Sequence, residues 1–457
     1  MGATGTAALL AAFGLFAVLA YWQAFRTDLG QRAGNPRILS AFADPHRGRI
    51  LDRQGNVLAE SQPGGQRHYT DASVAHLVGY LDARFGMQGA ELVFNGELSG
   101  RSGGGSWQAA FDAEFRRAAT RGLDVRLTID PKIQAAAAQA LGTRKGAVVA
   151  VDPRNGEVLA MVSVPTYDPG TLSTTGDALL TDPESPLLNR ATQGKYPPGS
   201  TFKTVTAASV LENKVITPDT PVTCPGEIVI DGFPISCSNV AQGVGTYPFR
   251  NAFAYSVNAI FAQVGVQLGW SRLLETARRF GFGSALDFTL ETAPSQLTEP
   301  GSNQTKTLLA STAFGQGELL ATPLQMAVVA SVVANGGVLE QPHLGLDAVH
   351  DGRRVHALES PSTKRVLGVD IAATLRDLMV AVVDDGQANG VAIAGVKVAG
   401  KTGTAESGHD TSHAWFIGFA PADNPTIAVA VIVEDGGRGG VVASPIAGTV
   451  MRTALAR

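Results

Sequence analysis

The spacing of hydrophobic and polar positions divides the 457-residue chain into three textures. From Ala7 to Phe25 the chain is almost wholly apolar (AALLAAFGLFAVLAYWQAF), and no charged side chain occurs before Arg26. About 17–25 apolar residues span a bilayer as a helix, and Tyr21 and Trp22 suit the interface at its end. The pattern predicts a membrane anchor over residues 1–25. Competing readings are a cleaved signal peptide, with Val18-Leu19-Ala20 as a small-residue site, and a buried core helix. From Arg26 to about Arg121 the texture is mixed, with Pro36, Pro45 and the run Gly103-Gly104-Gly105. Within it RGRILDRQGNVLAE (Arg47–Glu60) reads as two strands around a Gln54-Gly55-Asn56 turn. Residues 26–124 are expected to form a small, irregular domain.

From Val125 the periodicity sharpens. LTIDPKIQAAAAQALG predicts a helix with Asp130 as N-cap, Pro131 at its first position and Gly142 at its end. GAVVAVDPRNGEVLAMVSV predicts a hairpin around Asp152-Pro153-Arg154-Asn155-Gly156. The middle third is helical in pattern: FKTVTAASVLENK, NAFAYSVNAIFAQVGVQLG and TPLQMAVVASVVANGG. Three strand-like runs follow, VKVAGKTGTAE, AWFIGFAP and TIAVAVIVEDG, and then the helical SPIAGTVMRTALAR. This order predicts a sheet closed by pieces distant in sequence, with a helical insertion between them, in one domain over 125–457. No internal repeat or low-complexity tail is found.

Composition narrows the function. Hydrophobic residues make up 44% and charged residues 17%, a globular balance. The net charge is −4, from 36 Lys+Arg against 40 Asp+Glu, and no basic block stands out, which argues against nucleic acid as a partner. Two cysteines exclude a disulfide-scaffold protein and a four-cysteine zinc site. Cys224 and Cys237 flank CPGEIVIDGFPISC; in an exported protein they would close a small loop, and otherwise they are two buried thiols. The positive-inside rule, applied to Arg26, Arg32 and Arg37 after the apolar segment, would place the body in the cytoplasm, but long translocated domains override it. The side is therefore left to the chemistry.

Three short motifs carry that chemistry. Ser200-Thr201-Phe202-Lys203 sits at the start of a predicted helix after Pro197-Pro198-Gly199, so the lysine amine can reach the serine hydroxyl one turn away. A serine hydroxyl is a weak nucleophile until a base takes its proton, and a desolvated lysine can serve. The helix N-terminus favours a developing oxyanion. Ser256-Val257-Asn258 offers a hydroxyl to relay a proton and an amide to hold a substrate. Lys401-Thr402-Gly403-Thr404 lies on a strand; its charge and hydroxyls suit a substrate carboxylate, and Gly403 lets a peptide backbone approach. Each motif alone is matched by bland readings: a solvated Ser–Lys pair, a cap or turn, an edge strand guarded by lysine.

Together, and in this order, the three motifs are the signature of penicillin-binding proteins and serine β-lactamases. The flanking blocks RGRILDRQGNVLA, LTIDPKIQ, AVVAVDPRNGEVLAMVSVPTYDPG, YPPGSTFK, GQGELLATPLQMA and GKTGTAE with AWFIGFAP resemble the monofunctional (class B) penicillin-binding proteins over nearly the whole chain. The short segment before Val125 resembles their compact actinobacterial branch. The resemblance implies an α/β (α+β) transpeptidase fold: an antiparallel five-stranded sheet flanked by helices, an all-helical subdomain, a non-catalytic pedestal and one transmembrane helix. It implies a D,D-transpeptidase that cross-links peptidoglycan stem peptides ending in D-Ala-D-Ala outside the membrane and is acylated by β-lactams. Ser200 would be the nucleophile, Lys203 its base, and Ser256 and Asn258 the relay and substrate holder. Lys401, Thr402 and Thr404 would bind the terminal carboxylate, with Gly403 between them, and the backbone N–H groups of Ser200 and Thr404 would form the oxyanion hole. No cofactor or metal is expected. A separate SEDS-type glycan polymerase is the implied partner.

Four other readings are weighed against this one. A β-lactamase needs a glutamate to activate water, and Glu299-Pro300-Gly301-Ser302-Asn303 matches such a loop only superficially. A carboxypeptidase differs only in passing the acyl group to water. A membrane sensor needs more spans than the one found. His409 and His413 around Asp410 lack a third ligand motif and are read as a solvated loop, and Trp415 and Phe416 as core or cleft wall.

Overall fold

The helix and hairpin expected after Val125 form where local chemistry puts them. In the computed structural model, which describes residues 44–100, 121–237, 244–298, 305–408 and 410–456, helix α1 spans Pro131–Leu141. The Asp130 carboxylate accepts hydrogen bonds from the amides of Lys132 and Ile133 at 3.0 and 3.2 Å, satisfying donors that have no partner inside the helix. Strands β1 (Gly146–Val151) and β2 (Val158–Val164) form the hairpin. The helical middle contributes α2 (Lys203–Glu212), α3 (Asn258–Leu268) and α4 (Pro323–Ala334). The chain then returns as β3 (Ala399–Ala405), β4 (His413–Ala420), β5 (Ile427–Val433) and α5 (Gly439–Leu455).

These strands pair in the order β3-β4-β5-β1-β2, each neighbour antiparallel. Every residue of β4 and β5 is buried, which requires both sheet faces to be covered and explains their unbroken apolar runs. Helices α1 and α5 pack on each other and on the sheet, while α4 packs on β1, β4 and β5. Helix α4 is buried from Pro323 to Val333 and has no polar face. Strand β3, carrying the Lys-Thr-Gly-Thr run, is left at one edge.

A second, six-stranded sheet serves the N-terminal unit. It orders strands 353–357, 345–350, 124–127, 50–51, 57–61 and 67–69. A boundary at 124/125 therefore does not separate the two sheets, because the segment after it lends strands to both. Thr128 Oγ1 donates to Val158 O at 2.6 Å, and Gln134 Nε2 bridges Ser73 O and Met161 O at 3.0 and 3.1 Å, joining the two units. Cys224 and Cys237 are bonded, their Cα atoms 6.1 Å apart, and close the segment bearing the hairpin Glu227–Ile230/Phe233–Ser236. The alternative of two free thiols does not hold.

The segment expected as a membrane anchor, the Gly103-Gly104-Gly105 run, the Glu299-to-Asn303 turn and His409 lie outside the described residues. Among the described residues no helix is long and apolar enough to cross a membrane.

The N-terminal unit is pinned by a buried charge cluster. Glu91 receives Arg47 at 2.7 Å and Arg67 at 2.6 Å, and all three side chains are out of water. Burial alone would raise the Glu91 pKa, but the two guanidinium groups outweigh it and hold the carboxyl below its usual value. Removing the acid strands two buried cations, so Glu91→Ala is expected to cost about 3–5 kcal/mol in denaturant unfolding. A loss below about 1 kcal/mol would show that this cluster does not hold the unit.

Candidate active site

The loop Tyr196-Pro197-Pro198-Gly199 delivers Ser200 into a 3₁₀ turn that runs directly into α2. It is held from three sides. Trp415 Nε1 on β4 donates to Pro197 O at 3.0 Å, Thr201 Oγ1 donates to Pro198 O at 2.6 Å, and Gly199 N donates to Gly315 O at 2.9 Å. Gly199 and Gly315 both adopt positive φ, +53° and +92°, and a Cβ on Gly315 would fall 1.8 Å from Gly199 O. Only glycine allows this approach, so the Gly315-Gln316-Gly317 loop fixes the depth of the serine turn.

The stretch read as one continuous helix around Ser256 is in fact two, Phe249–Ala254 and α3, broken at the motif. Ser256 has φ +62°, a left-handed conformation that costs a non-glycine residue about 1–3 kcal/mol and persists only where its surroundings impose it. The break turns the Ser256 carbonyl out of the helical ladder and onto Lys203 Nζ, at 2.7 Å.

The three motifs converge around that amine. Lys203 Nζ lies 3.1 Å from Ser200 Oγ, 3.1 Å from Ser256 Oγ and 2.6 Å from Asn258 Oδ1. Lys401 Nζ reaches the same Ser256 Oγ from the far side at 2.9 Å and donates to Thr402 O at 3.2 Å. Both lysines are fully buried. Rings flank them, Phe261 under Lys203 at 5.2 Å and Phe253 under Lys401 at 5.8 Å. Burial, and then the Lys401 charge, push the Lys203 amine well below the usual lysine value. Burial lowers Lys401 to about 7. A proton entering the pair therefore settles on Lys401, and Lys203 keeps its lone pair available.

A cleft of about 560 Å³ opens in front of these groups, lined by Ser200, Ser256, Asn258, Thr402 and Thr404. The amines of Lys203 and Lys401 stand behind its wall. Gly403 is closed in: a Cβ there would meet Pro198 O and Trp415 Cβ, each at 3.0 Å. Because β3 is an edge strand, its outward backbone groups can pair with an extended peptide in the cleft. The arrangement can deprotonate a hydroxyl, hold a peptide alongside it and receive an anionic terminus.

The cleft also holds groups that the motif analysis did not single out. Gln316 and Glu406 lie inside quoted blocks, but Gln387 and Arg438 belong to segments with no motif signal. His413 is no solvated loop residue: it is buried at the start of β4, its Nδ1 accepts from Asp435 N at 3.1 Å, and its ring meets Tyr196 edge-on. Among the described residues no cluster of three His, Cys, Asp or Glu could hold a metal. Trp415 and Phe416 are both core.

A serine hydroxyl within reach of a buried lysine amine, beside a sheet edge open to an extended peptide, is the arrangement of a serine acyltransferase. Residues 146–452 match the penicillin binding protein transpeptidase domain family, and residues 47–125 match the penicillin binding protein A dimerisation domain. The chain belongs to the penicillin-binding protein transpeptidase family, in its monofunctional class B branch. It is 39% identical over 365 residues to the peptidoglycan D,D-transpeptidase PbpA of Mycolicibacterium smegmatis, covering 73% of each chain. It is 34% identical over 372 residues to MrdA of Escherichia coli, covering 73% of this chain and 57% of that one. Its fold is similar to penicillin-binding protein A from Mycobacterium tuberculosis in a ceftriaxone acyl-enzyme complex: TM-score 0.82 at 33% identity, over 91% of this chain and 100% of that one. A D,D-transpeptidase domain from Eggerthella lenta gives TM-score 0.80 at 35% identity, over 90% and 98%.

Lys401→Met removes the charge that helps depress the Lys203 pKa, so that pKa rises. Since the neutral amine is the base, the acid limb of the rate at which a β-lactam modifies Ser200 is expected to move to higher pH. Rates across about pH 4–9, roughly 2.5 units either side of the ordinary histidine pKa, measure it. A limb in the wild-type position would show that the two lysines are not coupled.

Proposed function

We propose that the protein is a serine D,D-transpeptidase that cross-links peptidoglycan stem peptides ending in D-Ala-D-Ala. The observation that carries this reading is the position of Lys203 Nζ between Ser200 Oγ, Ser256 Oγ and Asn258 Oδ1. A neutral amine has two N–H groups and one lone pair. Asn258 Oδ1 and Ser256 O, the two nearest acceptors, take the N–H groups, leaving the lone pair for the hydroxyls.

Ser200 Oγ passes its proton to Lys203 and attacks the carbonyl carbon of the penultimate D-Ala. The oxyanion is held by the backbone N–H groups of Ser200 and Thr404. The C–N bond then breaks; the leaving D-Ala amine takes a proton relayed through Ser256, and the donor remains as an ester on Ser200. An acceptor amine attacks that ester, gives up its proton to the same relay, and Ser200 is released. Thr402 and Thr404 present hydroxyls to the donor's terminal carboxylate. A β-lactam enters by the same attack, but its leaving amine stays tethered after ring opening, so the ester persists.

The reading extends to where the enzyme works. The Cys224–Cys237 bond supports an oxidising, extracytoplasmic location, with the apolar 7–25 segment as anchor and residues 26–124 as a pedestal. Stem peptides are presented on glycan strands, and a SEDS-type polymerase is the partner that would supply them.

Incubation with a fluorescent penicillin is expected to label the wild-type protein and leave Ser200→Ala unlabelled. The adduct is expected to last minutes to hours, on the order expected of a transpeptidase rather than a hydrolase. Labelling that survives the substitution refutes the nucleophile, and turnover within seconds favours a β-lactamase.

A further inference from the structure

Within the proposed transpeptidase reaction, the donor's terminal carboxylate needs a cation, and Lys401 is poorly placed to be one. Its amine is fully buried behind the cleft wall and engaged by Ser256 Oγ and Thr402 O. The lowered pKa of about 7 also leaves it without a lasting charge above neutrality. The cleft itself carries two charged side chains, Glu406 and Arg438, both exposed. Among the described residues no ion pair joins Arg438 to Glu406 or to any other acid.

Arg438 is placed where an anion would be received. It is the N-cap of α5, the 17-residue last helix, whose first-turn amides carry partial positive charge. That turn abuts β3: Gly439 N donates to Thr404 Oγ1 at 3.4 Å, and a Cβ on Gly439 would lie 2.2 Å from Gly403 O. Beside it, Thr402 is 5% exposed and lines the cleft, yet among the described residues its hydroxyl has no hydrogen-bond partner. That hydroxyl is not shut away from the cleft, so it is free to donate to a ligand bound there. Thr402, Thr404 and Arg438 thus line one cleft, where α5 begins.

We infer that Arg438 is the cation that binds the donor's terminal carboxylate, and so a specificity-determining residue, while Lys401 acts through Ser256. The guanidinium stays protonated at every working pH and can present two parallel N–H groups to a carboxylate. It anchors the peptide end against β3 and thereby sets the scissile carbonyl over Ser200.

The test compares benzylpenicillin with its methyl ester, which lacks the carboxylate charge, on wild type, Arg438→Gln and Arg438→Lys. For Arg438→Gln the second-order acylation rate with the free acid is expected to fall about ten- to a hundredfold, with the ester rate unchanged. Arg438→Lys is expected to restore part of the loss. Wild-type preference for the acid over the ester is expected to persist at pH 8.5, about 1.5 units above where Lys401 loses its charge. Equal loss for acid and ester, no loss for either, or a preference that fades between pH 6 and 8.5 would overturn the assignment (the last would return the role to Lys401). A wild-type protein that neither compound acylates would instead refute the transpeptidase reading itself.

Discussion

Two lysine amines buried on opposite sides of one serine hydroxyl set the terms for the rest of this molecule. Ser256 Oγ lies 3.1 Å from Lys203 Nζ and 2.9 Å from Lys401 Nζ, and water reaches neither amine. Two ammonium groups so placed would repel strongly in a medium that screens little. The site therefore favours one proton between them, and the surroundings assign it. Burial first, and then the charge of Lys401 next to it, drive Lys203 to neutrality, and its two nearest acceptors take the N–H groups of the neutral amine. A general base that works near neutral pH results from where charges are buried, with no acidic partner needed.

Holding that arrangement requires backbone as much as side chains. The left-handed Ser256 turns a carbonyl toward Lys203 that a continuous helix would have consumed internally. Gly315 lets its loop touch the Gly199 turn at a distance that a Cβ there would forbid, and Gly439 lets α5 abut β3. Behind these contacts stands a sheet whose central strands are wholly buried, so the positions of Trp415 and the β3 edge follow from a rigid core. The N-terminal unit is tied to the same core through Gln134 and Thr128. Precision at the serine is thus distributed over elements far apart in sequence.

Much of this was legible in the chain. Asp130 and Pro131 announced α1 because a capping carboxylate and a proline without an N–H belong at a helix start, and the runs of β4 and β5 are apolar at nearly every position because both faces are covered. Ser200, Lys203, Ser256, Asn258 and Lys401 were readable as a set because the three short motifs that carry them, each weak alone, match in type and order the signature of the family that the chain resembles. The break at Ser256 was not legible, since NAFAYSVNAIFAQVGVQLG has helical periodicity and the local conformation is imposed by Lys203, 53 residues away. Strands 345–350 and 353–357 were missed as members of the N-terminal sheet because the pairing of 345–350 with residues 124–127, which brings the hairpin there, leaves no local mark. Arg438 and Gln387 carry no motif; only the fold brings them to the cleft.

The whole mechanism depends on Lys203 being uncharged and on Lys401 holding whatever proton the pair retains, up to its pKa of about 7. The most direct measurement is an NMR titration of the lysine side-chain signals of the unliganded protein, with Lys203 and Lys401 assigned by substitution. The account predicts that the Lys203 signal shows a neutral amine at pH 7, with Lys401 titrating near 7. Two lysines that both remain charged up to the ordinary value of about 10.4 would contradict it.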